Sequence, residues 1–165
     1  MNSHPIIEHI PRLRRYARAL VGDRYAADDL VQDTLERAFV KLHLWRPGSD
    51  MRAWLFTIMH NVFVNQTRSH RPEVDLDIEE LPAMTVKAIQ SEQVELADVE
   101  RALHIIAPEQ REVLLLVAVE QMTYGEAART LSIPIGTVMS RLSRARERLR
   151  QIMSGASVVP LKVVK

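Results

Sequence analysis

The chain has 165 residues, of which 47% are hydrophobic, carries a formal net charge of +1 and contains no cysteine. This length accommodates one ordinary domain or two small ones, and the apolar content excludes wholesale disorder. The lack of cysteine excludes disulfides, thiol catalysis and thiolate metal sites, and fits a reducing compartment. No stretch approaches the roughly 20 apolar residues of a membrane span, and residues 1–15 show no signal-peptide pattern, so we expect a soluble, cytoplasmic protein.

The first half of the chain predicts three helices. The first covers about residues 5–20 and ends at Gly22, and the second follows Asp23 as its N-cap. A loop, Trp45–Asp50, precedes a third helix over about residues 51–68. Apolar residues at spacings of three and four predict the buried stripes, which are Ile6, Ile10, Leu13, Ala17 and Leu20, then Val31, Leu35, Ala38, Phe39 and Leu42, then Trp54, Leu55, Ile58 and Val62.

The second predicted helix also carries a separate acidic stripe. Asp29, Asp33 and Glu36 recur at i, i+4 and i+7 and therefore share one face. Such a stripe suits a basic partner helix and would steer association with it. The alternative is stabilisation of the helix dipole by acids in the first turn, which covers Asp28 but reaches poorly to Asp33 and Glu36.

The helical pattern fails between about residues 71 and 92. Pro72 and Pro82 interrupt it, and residues 73–100 carry a net charge of −8, against +4 for residues 1–72 and +3 for residues 101–153. We therefore predict an all-α fold of two small helical domains, 1–72 and 94–153, joined by an acidic flexible linker at 73–93 and followed by a tail at 154–165. Two basic blocks indicate surfaces that face nucleic acid, although ordinary charge scatter remains the alternative.

The second domain ends in a pattern typical of a helix-turn-helix. Thr123 and Glu126 form a capping box at the start of one helix, residues 132–134 make a short turn, and the last helix covers residues 135–153. A plain helical hairpin with a solvated arginine face is the alternative, but no acidic residue lies between Arg129 and Arg146.

The last helix would read DNA from its N-terminal end. A recognition helix enters the major groove in that direction, so Thr137, Ser140 and Arg141 are placed for base edges, and Arg144 and Arg148 for phosphates. For Thr137, a simple capping role stays equally open.

Three motifs in order resemble the extracytoplasmic-function (ECF) family of bacterial RNA polymerase sigma factors. Ala26–Ala38 resembles the family's polymerase-binding segment, and Met51–Asn61 resembles its promoter-melting segment. Pro108–Leu116, Tyr124–Ala128 and Pro134–Arg146 resemble its second domain, which reads the −35 element. Met139 stands where many relatives have a basic residue, and Ser143 is smaller than the contact residue of some, so the −35 sequence is not predicted.

The resemblance implies a role for each surface. Polymerase binding, on the clamp helices of the largest subunit, would fall to Asp29, Gln32, Asp33 and Glu36, and the polymerase flap would be a further partner. Binding of the −10 element would fall to Trp45, Asn61, Asn65 and Arg68, with Asn61 on a flipped base. Binding of −35 DNA would fall to Thr137, Ser140, Arg141, Ser143, Arg144 and Arg148. The family further implies promoter DNA and an anti-sigma factor as partners, a stress or envelope-response regulon, and no catalytic residue, metal or cofactor.

Four points stay open on the residues alone. Trp54 fits the core better than a base pocket, and the acidic linker is either a nucleic-acid mimic or a solvated tether. A stand-alone helix-turn-helix regulator would explain residues 94–153 but leaves the acidic stripe without a role. A metal-dependent phosphodiesterase using Asp28, Asp29 and Asp33 is disfavoured, because adjacent aspartates point about 100° apart on a helix and the histidines lack ligand spacing.

Overall fold

The computed structural model describes residues 5–70 and 96–155, and the regular structure in these ranges is entirely helical. The helices are α1 Ile10–Val21, α2 Arg24–Lys41, α3 Met51–His70, α4 Leu96–Ile105, α5 Pro108–Leu114, α6 Tyr124–Leu131 and α7 Ile135–Met153. Short 3-10 turns cover Ile7–His9 and Leu42–Leu44, and a π-helical segment, Leu115–Val119, continues α5. The all-α prediction is confirmed, while the whole of the predicted linker and nearly all of the tail lie outside the described residues.

The reversal between α1 and α2 follows the predicted caps. Gly22 ends α1 in the left-handed conformation, with φ at +81°, and its N–H donates to the carbonyl of Arg18 at 3.0 Å. One residue later, the Asp23 carboxylate accepts the N–H of Ala26 at 3.2 Å and begins α2. The two helices therefore pack against each other, and α3 packs against α2 in turn.

The buried face of α2 differs from the predicted stripe at Phe39 and also includes residues outside that stripe. Phe39 is 49% exposed, so its assignment to the core is wrong. The buried residues of this helix are Ala27, Leu30, Val31, Thr34 and Ala38. Ala38 points inward, and Phe39, the next residue, is rotated about 100° from it around the helix axis and so points away from the core. Trp54 is half-buried and packs against the core, which supports its core role.

The helix-turn-helix forms as the sequence predicts. Thr123 and Glu126 exchange both bonds of the capping box, at 3.1 and 3.0 Å, and begin α6. Ser132 then adopts the left-handed conformation and turns the chain toward α7. Val138 is fully buried in the angle between the two helices, so α7 keeps its opposite face exposed.

The two halves of the chain pack on one another through a buried arginine. Arg111, on α5, donates to the carbonyls of Leu103, Ile106 and His104 at the end of α4, at 2.6, 2.8 and 3.2 Å. It also donates to the carbonyl of Leu20 in α1 at 2.6 Å. Carbonyls in the last turn of a helix lack intrahelical partners, so one guanidinium fills this deficit for two helices at once.

Gly22 lies at the same junction and closely approaches the side chain of His104, on α4. A Cβ at this position would fall 2.3 Å from Cε1 of His104, on α4. Gly48 has a similar φ of +90° but nothing within 4 Å of its would-be Cβ. The two glycines thus share a backbone requirement and differ only in the packing around them.

We expect Gly48→Ala to cost about 1–2 kcal/mol of unfolding free energy, the strain of a left-handed alanine. Gly22→Ala should cost about 1–3 kcal/mol more, because it also displaces the His104 ring. Urea denaturation of both variants measures the difference, and adding His104→Ala should remove most of the excess. Equal losses for the two single variants would show that the halves do not meet at Gly22.

Candidate nucleic-acid interface

The predicted acidic stripe lies on the outer face of α2. Asp29, Gln32 and Glu36 are exposed and Asp33 is half-buried. The amide of Gln66, on α3, donates to the carboxylate of Asp33 at 2.7 Å and to that of Asp29 at 3.5 Å. This arrangement offsets the repulsion between two like charges one helical turn apart. The stripe is therefore a fixed carboxylate surface, held from the neighbouring helix by a residue that the sequence motifs did not single out.

The polar residues of α3 form a second surface. Asn61, Asn65 and Arg68 are all exposed and recur at i, i+4 and i+7, so they share one face in the second half of the helix. Amide and guanidinium groups on one face can hydrogen-bond the edges and phosphates of a nucleic-acid strand. Val62 is buried and holds this part of α3 against the core, so the stripe is present before any nucleic acid binds.

Trp45 does not lie on that stripe. It follows the turn Leu42–Leu44, ahead of α3, and is half-buried against the core with its Nε1–H unpaired among the described residues. The loop after it is closed by a hydrogen bond from the Ser49 hydroxyl to the carbonyl of Arg46 at 2.6 Å. Asp50 then caps α3 by accepting the N–H of Ala53 at 3.3 Å. A base-stacking role for Trp45 would use only the exposed part of its ring.

The outer face of α7 carries the predicted DNA-binding residues. Ser140, Ser143 and Arg144 are exposed, whereas Arg141 and Arg148 are half-buried on the flank. Pro134 is the N-cap of α7 and no side chain caps the helix, so the capping role for Thr137 is wrong. The Ser140 hydroxyl instead donates to the carbonyl of Thr137 at 3.2 Å.

Charged residues line the contact between the two halves. The His60 ring, on α3, bonds to the carboxylate of Glu112 on α5. The carboxylate of Glu120 lies 3.4 Å from Nε of Arg12 on α1, and its backbone carbonyl accepts a bond from Arg52 on α3. Glu112 and Glu120 are both buried. Separation of the halves would return these charges to water, where they are well solvated.

Burial shifts the pKa values of several groups at this contact. Burial raises the pKa of Tyr16 well above 10.0, and the charges of Glu112 and Glu120 raise it further. Burial also raises the pKa of Glu120, and Arg12, Arg52 and Arg15 oppose that shift. Tyr16 stacks edge-on against Phe56 with ring centroids 4.9 Å apart. Burial at the contact between the halves therefore disfavours the charged forms of these groups, although the contact still contains paired charges.

Sequence reasoning missed the residues that join the halves. Arg111 and Glu112 were visible as charges directly before the apolar run Val113–Leu116, which is the only sequence signal for their burial. His60 and Glu120 give no such signal, because their partners lie more than fifty residues away in the chain.

The described residues offer neither a candidate metal site nor a candidate membrane span. Residues 5–70 and 96–155 contain no group of three histidine or acidic side chains able to hold a metal ion. No helix within these ranges is both long and apolar enough to cross a bilayer.

Two protein families match the two halves. The family described as the Sigma2 domain of PhyR matches residues 6–60, and the family described as Sigma-70, region 4, matches residues 96–149. The ECF RNA polymerase sigma factor EcfG of Rhodopseudomonas palustris is 38% identical, with 90% of this chain and 82% of that protein aligned. ECF RNA polymerase sigma factor SigM of Bacillus subtilis is 30% identical, with 84% and 86% aligned.

A solved structure has the same fold. The sigma factor RpoE of Bartonella quintana, in complex with the anti-sigma factor NepR, superposes with a TM-score of 0.74 at 36% identity, covering 90% of this chain and 93% of that one.

The junction at His104 predicts a pH dependence. Burial lowers the pKa of His104, Arg111 lowers it further, and Glu100 opposes the shift. A group with a depressed folded pKa stabilises the fold above its unfolded pKa of about 6.5, and this contribution is lost as the pH falls toward the folded pKa.

We therefore expect His104→Gln to lose less stability than the wild type between pH 7.5 and pH 5.5, measured by urea denaturation across that range. His43→Gln, at an exposed histidine, serves as the control and should follow the wild type. If His104→Gln also follows the wild type, His104 does not couple proton binding to folding.

Proposed function

The chain belongs to the family of ECF RNA polymerase sigma factors, and on that premise we propose which of its surfaces direct core RNA polymerase to promoters and initiate transcription there. The observation that carries the proposal is the presence, in one chain, of a carboxylate face on α2, a polar stripe on α3 and an arginine-rich recognition helix. The chain would act as a non-enzymatic subunit in the cytoplasm, where polymerase and promoter DNA are found.

Asp29, Gln32, Asp33 and Glu36 are proposed to dock on the clamp helices of the polymerase largest subunit. Three carboxylates on one face offer a basic partner several charged contacts and speed its approach. Gln66 supports this role because it fixes the orientation of Asp33 and Asp29 before the partner arrives. A prepared surface loses less side-chain entropy on binding.

The −10 element is proposed to bind along α3 and the loop before it. Asn61, Asn65 and Arg68 provide hydrogen-bond donors along one exposed face, and Trp45 offers part of its ring for stacking. An extruded base needs such polar and aromatic partners to offset its lost stacking and pairing.

The −35 element is proposed to bind α7, through Thr137, Ser140, Arg141, Ser143, Arg144 and Arg148. Thr137, Ser140 and Arg141, near the N-terminal end of the helix, would face base edges, and Arg144 and Arg148 would bind phosphates. We assign residues 1–72 and 94–153 to the two domains, and the matches at 6–60 and 96–149 support this division.

The two domains must separate on a promoter. Elements centred near −35 and −10 lie about 25 base pairs apart, which is about 85 Å of duplex at about 3.4 Å per base pair. A compact chain of this length has a radius of gyration of only about 15 Å. The packed arrangement therefore represents the protein without DNA, and an anti-sigma factor that touches both domains would hold it packed.

Run-off transcription tests the function as a whole. Purified chain and core polymerase should start RNA chains on a subset of a promoter library, whereas a stand-alone helix-turn-helix regulator would bind duplex DNA but leave core polymerase inactive. No RNA start on any promoter would refute the proposal.

Reversal of charge on α2 tests the polymerase contact. We expect Asp33→Lys with Glu36→Lys to lower the affinity for core polymerase at least 100-fold, since two attractive contacts become repulsive, each worth about 1–3 kcal/mol. Asp28→Lys, an exposed acid rotated off the stripe, is the matched control and should bind normally. Circular dichroism checks the fold, and normal binding by the double variant would remove the stripe from the interface.

Weakening the contact between the domains tests the opening. Arg12→Ala leaves Glu120 buried without its ion pair, so the open form should become more populated and core polymerase should bind about three- to tenfold more tightly. Because the chain has no cysteine, dyes at Arg24→Cys and Gln151→Cys can report domain separation by energy transfer. Greater separation without tighter binding would show that opening does not limit docking.

A further inference from the structure

The recognition helix exposes two apolar side chains beside its arginines. Ile135 and Met139 are 53% and 52% exposed, although Val138 and Leu142, on the inner face, are almost fully buried. We propose that Ile135 and Met139 read the 5-methyl group of thymine in the −35 element. This inference rests on the proposed function and adds a base preference to it.

Ile135 and Met139 lie in the first two turns of α7, at its N-terminal end. They are one turn apart, and helical side chains lean toward the N-terminus, so Met139 covers the turn that begins with Ile135. The N-terminal turns of a recognition helix go deepest into the major groove. The pair therefore forms an apolar strip where base edges, rather than phosphates, are within reach.

The surroundings of Met139 hold its side chain at the surface. Tyr124, Leu142, Ser143 and Arg146 line an open groove with it between α6 and α7. The capping box at Thr123 and Glu126 fixes the start of α6 and so fixes Tyr124. The flexible thioether thus has an apolar wall on one side and solvent on the other, which leaves one face of it for a ligand.

The charge of α7 as a whole, with Arg146 in the same groove as Met139, identifies nucleic acid as the ligand. The helix carries Arg141, Arg144, Arg146, Arg148 and Arg150 but a single acid, Glu147, which pairs with Arg150. A polyanion would be attracted to this surface, whereas an ordinary protein partner would meet uncompensated positive charge. Within the major groove, the thymine methyl is the apolar group that base edges display.

The hydrogen bonding of Ser140, the residue after Met139, leaves apolar contact with the methyl group as the means of recognition. Ser140 already donates its hydroxyl hydrogen to the carbonyl of Thr137, so its oxygen is left to accept rather than donate. Ile135 and Met139 offer no strong hydrogen-bond donor. Discrimination at this point of the duplex therefore comes from apolar contact, and one buried methyl accounts for about a three- to fivefold difference in affinity.

Deoxyuridine substitution tests the proposal directly, because it removes only the methyl group. Preferred −35 sequences are first selected with the full chain bound to core polymerase, and each thymine is then replaced by deoxyuridine in turn. We expect at least one replacement to weaken binding by about three- to fivefold for the wild type. Met139→Leu should keep this sensitivity, Met139→Gln should lose it, and Val119→Ala, at an exposed apolar residue outside α7, should behave as the wild type.

The outcomes separate the two levels of the proposal. Insensitivity of the wild type to every replacement, or an equal sensitivity in Met139→Gln, overturns the methyl contact while leaving the promoter function in place. Weaker binding of Met139→Gln to core polymerase without DNA makes the strip a protein contact and also overturns it. Failure of the holoenzyme to select any sequence would instead count against the promoter function itself.

Discussion

The arrangement of this protein depends on one buried guanidinium. Arg111 donates to carbonyls of Leu20, Leu103, His104 and Ile106, which come from α1 and from the end of α4. An arginine keeps its charge even when burial lowers its pKa, so its donors must be paired wherever it is placed. Three of the four carbonyls lie in the same half as Arg111, and the bond to Leu20 ties that half to α1.

The rest of the junction follows the same chemistry. Tyr16, Glu112 and Glu120 are buried at the contact between the halves, and His60 and Arg12 bring opposite or hydrogen-bonding groups to the carboxylates. The two halves also share one hydrophobic core cluster, but the paired charges at their contact regain hydration when the halves part. This chemistry suits the proposed separation of the two domains on a promoter.

The proposed binding surfaces lie on helices that this junction leaves exposed. The α2 carboxylates, the α3 stripe and the outer face of α7 each depend on a packed inner face for their position, through residues such as Leu30, Val62 and Leu142. Rigid helices present their contacts without further ordering, so binding energy is not spent on folding the site. The hydrogen bond from Gln66 to Asp33 likewise fixes a single side chain before a partner binds.

Local sequence determined the helices and their ends, because periodicity and caps act within a few residues. The helix caps form as expected at Gly22, Asp23, Thr123 and Glu126. The turn at residues 132–134 sets the direction of α7 and so the position of its exposed arginines. The roles inferred for the site residues came from resemblance and stay predictions. Tertiary structure decided the burial of Arg111 and Glu120, the exposure of Phe39 and the approach of His104 to Gly22, since each depends on partners that no local pattern records.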